Sequence, residues 1–211
     1  MGIAERKERE KERRRLDIID AAEEVFFSKG FEKSTMDDVA EQAELSKGTL
    51  YLYFKSKDEL FLEIIYRGNN ILHNLFAKAA EIEGDGLCKV RAIGEAFIEF
   101  SRKYPNYYGA FLHDHTQEIC LENMDSAEGK VLSLKERNMS ILIEVLKAGI
   151  ADGSLNPELD PVKTALTLWA ETEGLLLIIR KKGKMISHGF NISEDELIQY
   201  FFEFTYKALK A

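Results

Sequence analysis

Proline is nearly missing from the chain: three residues, Pro105, Pro157 and Pro161, among 211. Long uninterrupted helices are therefore permitted along most of it. Cysteine is as scarce. Cys88 and Cys120 stand 32 residues apart with no CxxC pair, which excludes a zinc ribbon and a disulfide scaffold, and two buried free thiols in a reducing compartment are expected. No long apolar run occurs, and the longest, Leu175 to Ile179, is far short of the ~20 residues that span a bilayer. The opening MGIAERKEREKERRRLD has no apolar h-region, so it is not a secretory signal. A cytoplasmic protein without membrane contact is expected. A nucleophile elbow, a Walker loop and an HExxH helix are absent too, so no catalytic residue, no cofactor and no enzyme activity are expected.

An excess of cations is also lacking: 29 Lys+Arg face 37 Asp+Glu, a net charge of −8. That balance argues against a nucleic-acid partner, because phosphate neutralisation needs Lys and Arg. The objection holds only if the charges are evenly spread, and they are not.

What is present is helical periodicity. Apolar residues recur at three and four rather than two, and Gly and Pro mark the ends of segments, so the chain reads as all-α with about nine helices. The first helix is expected from about Glu10 to Lys29, with Leu16, Ile19, Ala22, Val25 and Phe26 on one face and Gly30 as its stop. Thr35 with Asp38, Ser46, and Ser56 with Glu59 are read as N-caps of the next three. The third of these carries Leu60, Phe61, Ile64, Ile65, Leu72, Leu75 and Phe76 towards Ala80. Further helices are expected over about 87–103, around Tyr107 to His113, over about 127–151, from Asp160-Pro161 to about Arg180, and from Ser193 to the C-terminus. The natural division falls near Lys57. Residues 1–57 form a small N-terminal domain with a charged leader over 1–15, and residues 58–211 form a larger helical one.

The stretch TMDDVAEQAELSKGTLYLYFKSKDEL, 35–60, is the most informative. Two short helices joined by EQAELS make a helix-turn-helix pattern, with Val39, Ala40, Leu45, Leu50 and Phe54 inward. Lys47, Gly48, Thr49, Tyr51 and Tyr53 are left outward on the second helix. From Ser46 to Lys57 there are three lysines and no acids, so a local +3 sits inside an acidic chain. A recognition helix presents its N-terminal residues to base edges. Lys47 suits guanine acceptors, Thr49 can donate, accept or pack its methyl on thymine, and Gly48 allows close approach. Tyr51 and Tyr53 reach phosphates with their hydroxyls, and Thr35 and Lys57 suit the backbone. The leader holds seven basic residues against four glutamates over 5–15. It is a mobile arm near the DNA backbone or a solvated, frayed helix.

Residues 12–66, through IIDAAEEVFFSKGF, T-x-x-x-VA-x-x-A and SKGTLYLYFKSKDEL, closely resemble the DNA-binding domain of the tetracycline-repressor (TetR/AcrR) family of bacterial transcription regulators. The resemblance covers about a quarter of the chain. The remainder agrees in helix pattern and in ILIEVLKAGIADGSLNP followed by a long Trp-bearing helix. It implies a homodimer on double-stranded DNA, with an all-α C-terminal domain whose bound small molecule lowers DNA affinity. Carried across, Ser46 opens the recognition helix; Lys47, Gly48, Thr49 and Tyr51 face bases; and Thr35, Tyr53 and Lys57 fall on backbone-contact positions. Asp37 and Asp38 are less typical, because they leave the first motif helix with few cations for phosphate.

In the C-terminal part, Phe97, Tyr104, Tyr107, Tyr108 and Phe111, with Trp169, Thr172 and Glu173, are candidate lining for an effector pocket, set against ordinary core packing. His113 and His115, two apart, would point about 200° from each other on a helix, so a metal site is not favoured. Ala165, Leu168, Gly174, Leu175 and Ile179 on the penultimate helix, with Leu197, Phe201, Phe202 and Thr205 on the last, carry more apolar surface than one chain can bury. A twofold dimer interface is expected there, and with it a palindromic operator. The alternatives are a helical small-molecule carrier or enzyme that keeps the N-terminal helices as scaffold, and an architectural DNA protein without a ligand. The acid excess lies mostly beyond residue 57, away from the reading helix.

Overall fold

The computed structural model describes residues 2–113 and 126–211. Among them are nine helices: α1 Ile3–Lys29, α2 Met36–Gln42, α3 Lys47–Tyr53, α4 Lys57–Ala80, α5 Gly86–Lys103, α6 Pro105–Leu112, α7 Ala127–Ala151, α8 Pro161–Phe190 and α9 Glu194–Leu209. The described residues hold no strand beyond an isolated bridge between Leu155 and Lys210. None of these helices is long and apolar enough to cross a membrane. His115 and Cys120 lie outside the described residues.

The capping residues act as their types require. Thr35 Oγ1 accepts from Asp38 N–H while the Asp38 carboxylate accepts from Thr35 N–H, closing a capping box. Ser193 and Glu196 do the same for α9. Asp160 accepts from Val162 and Lys163 with Pro161 at the first helical position. The box at α4 is displaced by one residue: Ser56 Oγ takes Glu59 N–H, but the Glu59 carboxylate reaches Lys55 N–H. Gly30 ends α1 at φ 82°.

Two helices outrun their expected ends. α1 begins at Ile3, so the charged stretch 5–15 is helical and continuous with the rest, exposed over 5–14. α8 passes through KKGK to Phe190 and stops at Asn191 with φ 54°. Gly183 within it is a packing contact: a Cβ there would lie 2.6 Å from Glu194 Oε1. Leu16, expected on the inner face of α1, is 43% exposed. Cys88, expected buried, is exposed near the start of α5.

The chain packs as two compact units, Met1–Gly68 with Asn106–Ser133, and Asn69–Pro105 with Leu134–Ala211. The first core joins Ile18, Ile19, Ala22, Val25 and Phe26 of α1 to Val39, Ala40, Leu50 and Phe54 of the motif. It continues over Leu60, Leu62, Ile64 and Ile65 of α4 and takes in Ala110 and Val131. The first unit thus runs past Lys57 to Gly68, because the apolar face of α4 is shared and its first turns seal the motif. It also claims α6, which a division by sequence alone assigns to the other part.

In the second core α5 and α7 cross on two glycines. A Cβ on Gly86 would lie 2.1 Å from Gly149 Cα, and one on Gly149 would lie 2.6 Å from Leu155 Cδ1. The loop ADGSLNP closes this crossing. Asp152 accepts from Gly86 N–H, Ser154 Oγ from Leu87 N–H, and fully buried Leu155 fills the core.

Candidate nucleic-acid interface

The motif's turn is tight. Ala43 N–H donates to Val39, and Leu45 N–H donates to Ala40 at 2.9 Å. Glu44 between them takes φ 54°, a left-handed conformation that few residues other than Gly, Asn and Asp adopt readily. Val39, Leu50 and Phe54 are fully buried and Leu45 half-buried, so the inner faces of α2 and α3 are fixed by the first core.

What α3 turns outward follows from that. Lys47, Gly48, Tyr51 and Leu52 are exposed; Thr49 and Tyr53 are half-buried. Ser46 caps the helix by accepting from Thr49 N–H, and the two hydroxyls lie 2.8 Å apart. Tyr53 packs against the first core. Gly48 is open: a Cβ there would meet nothing closer than Ser46 Oγ at 3.9 Å. The fold places no steric demand for glycine at this position. Leu52 is 76% exposed, and the sequence reading placed it on neither face. The signal was its place one residue on from outward Tyr51 and two from inward Leu50.

The expected +3, acid-free surface is corrected by tertiary neighbours. Asp37 of α2 brings a carboxylate 2.7 Å from Lys47 Nζ, and this partner holds the Lys47 ammonium above the usual lysine range. Lys57 faces inward. Its Nζ donates to the Phe31 and Ser34 carbonyls at 2.9 and 3.1 Å and lies 4.2 Å from the Phe31 ring centroid. That arrangement tightens the α1–α2 connection and removes Lys57 from the phosphate-facing set. Lys55 Nζ donates to Tyr51 O. Thr35 Oγ1 also donates to Asp38, 2.8 Å away, so its hydroxyl is committed to the cap.

The candidate effector residues fall into both units. In the first, Tyr107 donates to Glu23 Oε1 at 2.8 Å; burial and this carboxylate push the phenol up to about 12. Glu23 also accepts from Arg67, which pairs with Asp20 as well. Tyr107 therefore ties α6 to α1. Tyr108 is buried, and its ring stacks on that of half-buried Phe111. In the second unit Phe97 is buried edge-on to Phe76, Tyr104 is half-buried at the end of α5, and Thr172 is buried with its hydroxyl on Leu168 O. Burial raises the half-buried Glu173 carboxyl, with Lys135 opposing, while Trp169 is 41% exposed. A groove of about 610 Å³ between α5 and α9, lined by residues including Arg91, Glu95, Arg102 and Asp195, contains none of the expected effector residues, though Phe202 lines it.

Of the expected dimer residues, Ala165 is fully buried and Phe202 nearly so within their own chain, and Leu168 packs on the second core. The others, Gly174, Leu175, Ile179, Leu197, Phe201 and Thr205, are half-buried. The apolar side chains that α8 and α9 leave outward are Val162, Leu166, Trp169, Ile178, Met185 and Phe190, with Tyr200 and Phe204. Leu166, Trp169, Ile178, Tyr200 and Phe204 each stand one position from an expected residue.

A two-helix motif with an outward, glycine-bearing second helix on an all-α body defines a DNA-binding transcriptional regulator of the helix-turn-helix type. Residues 18–64 match the family of bacterial regulatory proteins, tetR family. The HTH-type regulator YhgD of Bacillus subtilis is 32% identical over 158 residues, 72% of this chain and 76% of that one. The HTH-type repressor KstR2 of Rhodococcus jostii is 31% identical over 70% of each. The chain belongs to the tetR family. The match to regulator YfiR of B. subtilis is stronger but shorter, 48% over 28% of each chain. The crystal structure of regulator FadR from B. subtilis in complex with stearoyl-CoA superposes with a TM-score of 0.66 at 18% identity, over 90% of this chain and 97% of that one. It shares the fold.

Proposed function

We propose that the chain is a ligand-responsive repressor that binds a palindromic operator as a homodimer and leaves it when a small molecule occupies the C-terminal helices. The observation that carries the DNA reading is the outward face of α3, where Lys47, Gly48 and Tyr51 are held by an inner face that is fully buried. Lys47 and Gly48 meet base edges, with Thr49 and Tyr51 beside them; Ser46, Thr35 and Tyr53 border the backbone. Residues 1–57 act as the reading head. The dimer forms through the outward apolar stripe of α8 and α9, where Val162, Leu166 and Trp169 follow i, i+4, i+7 spacing. Effector binding is supported by the fold shared with a regulator crystallised with an acyl-CoA, and repression by the relative KstR2. Glu23, holding Tyr107 of α6 and Arg67 of α4, gives α1 a direct mechanical tie to both helices.

Duplexes enriched by the protein from a random library provide the test. Lys47→Ala with Tyr51→Ala should lower affinity for the enriched duplex ~10–100-fold and relax its sequence preference. Unchanged affinity and sequence preference would remove these residues from the interface.

A further inference from the structure

The two acids that open α2 are bonded differently. Asp38 is committed to structure: its carboxylate accepts from Lys29 Nζ, from Thr35 N–H and from Thr35 Oγ1. Asp37 takes no part in that cap. Its side chain is 65% exposed, and it reaches across the turn to the first residue of α3, with Oδ1 2.7 Å from Lys47 Nζ. An acid on a DNA-reading surface needs a reason, because it repels the phosphates that the surface must approach.

We infer that Asp37 is a specificity-determining residue, which forms with Lys47 a neutral pair that suppresses phosphate binding while leaving Lys47 able to read a guanine edge. This rests on the DNA-binding reading above. Guanine presents two uncharged acceptors, O6 and N7, in the major groove. The ammonium has three protons, so it can keep one on Asp37 and give the others to the base. A phosphate at the same place carries a full negative charge. It meets the Asp37 carboxylate well inside the screening length of ~8 Å at physiological salt. The pair therefore penalises the charged acceptor and spares the neutral one. Non-specific complexes are held almost entirely by phosphates, so the penalty falls on them. The pair also restrains the flexible lysine stem, which otherwise loses more rotamer freedom on docking.

The test uses the full-length protein, a duplex enriched from a random library, and a scrambled duplex of the same composition, with anisotropy read across a salt series. Asp37→Asn should tighten the scrambled duplex ~3–10-fold and steepen its salt slope by ~0.9, the value for one added phosphate contact. The enriched duplex should change by less than about twofold, so that discrimination falls by nearly the whole of that factor. Asp37→Ser should behave likewise, which guards against an effect of the amide itself. In a Lys47→Ala background the added slope should vanish, because no freed ammonium remains to take a phosphate. An unchanged scrambled affinity, an equal gain on both duplexes, or a slope increment that survives Lys47→Ala would each overturn the inference while leaving the regulator reading intact. No enrichment and no salt-dependent binding by the unmodified protein would overturn both.

Discussion

Glycine serves opposite purposes in the two compact units. At the α5–α7 crossing, Gly86 and Gly149 are dictated from within: a methyl group on Gly86 would lie 2.1 Å from a neighbouring Cα. On α3, Gly48 is surrounded by open space, with Ser46 Oγ the nearest atom at 3.9 Å, and helical glycine is disfavoured there by ordinary backbone entropy. The first pair is explained by the fold alone. The second has no internal explanation, and an unfavoured residue on an exposed face points outside the chain. The same contrast separates Lys57, bound to two carbonyls of its own unit, from Lys47, held only by an exposed carboxylate.

The largest effect should break the internal half of that comparison. Gly86→Ala forces backbone rather than a flexible side-chain end to move, so a loss of ~3 kcal/mol of stability is expected, read as a lower urea midpoint. If the variant is as stable as the parent, the crossing is looser than its geometry and the contrast fails. Gly48→Ala should sharpen the other half. Stability should rise by ~0.5 kcal/mol through helix propensity, while affinity for the enriched duplex falls ~10-fold or more, the worth of one good base contact. Equal affinity would mean that no base or phosphate approaches Gly48.

Much of this was legible in the sequence. Capping side chains are local, so Thr35, Ser46, Asp160 and Ser193 could be placed from spacing alone. The motif's inner face was legible because Val39, Leu50 and Phe54 follow the helical repeat. What escaped is tertiary. A window of twelve residues showed three lysines and no acid, but Asp37, ten positions away from Lys47, folds back onto it. The expected end of α8 near Arg180 falls short because the contact between Gly183 and Glu194 is invisible until α9 packs. Ala165 and Phe202 were assigned to a partner because an apolar stripe carries no label saying which chain will cover it. α6 was assigned to the C-terminal part since nothing in PNYYGAFL announces that Tyr107 will bond Glu23, eighty-four residues earlier.

The smallest effect tests the reading head through acid. In Asp38 the carboxyl lies at about 2 rather than its ordinary 3.8, first because Lys29 donates to it and then because Thr35 does. The folded head therefore binds fewer protons than the unfolded chain between those values. Its contribution is fully present above 3.8 and is lost as the pH falls towards about 2. The group is exposed and the pair is screened, so the loss is gradual and should shrink in high salt. Asp38→Asn removes the titration but keeps a side chain able to cap, so its melting temperature should decline less steeply across that window than the parent's. At the α5–α7 crossing Asp152 is bonded to neutral donors, Ser154 first and then Gly86 N–H, and Lys89 acts on it only as the smallest contribution, through its charge. Hydrogen exchange read separately on α2 and α5 in moderate salt should therefore find acid loosening α2 with a stronger salt dependence than α5 shows. Equal salt dependence at both helices would mean that the Lys29–Asp38 pair, for all its short geometry, contributes nothing to holding the reading head together.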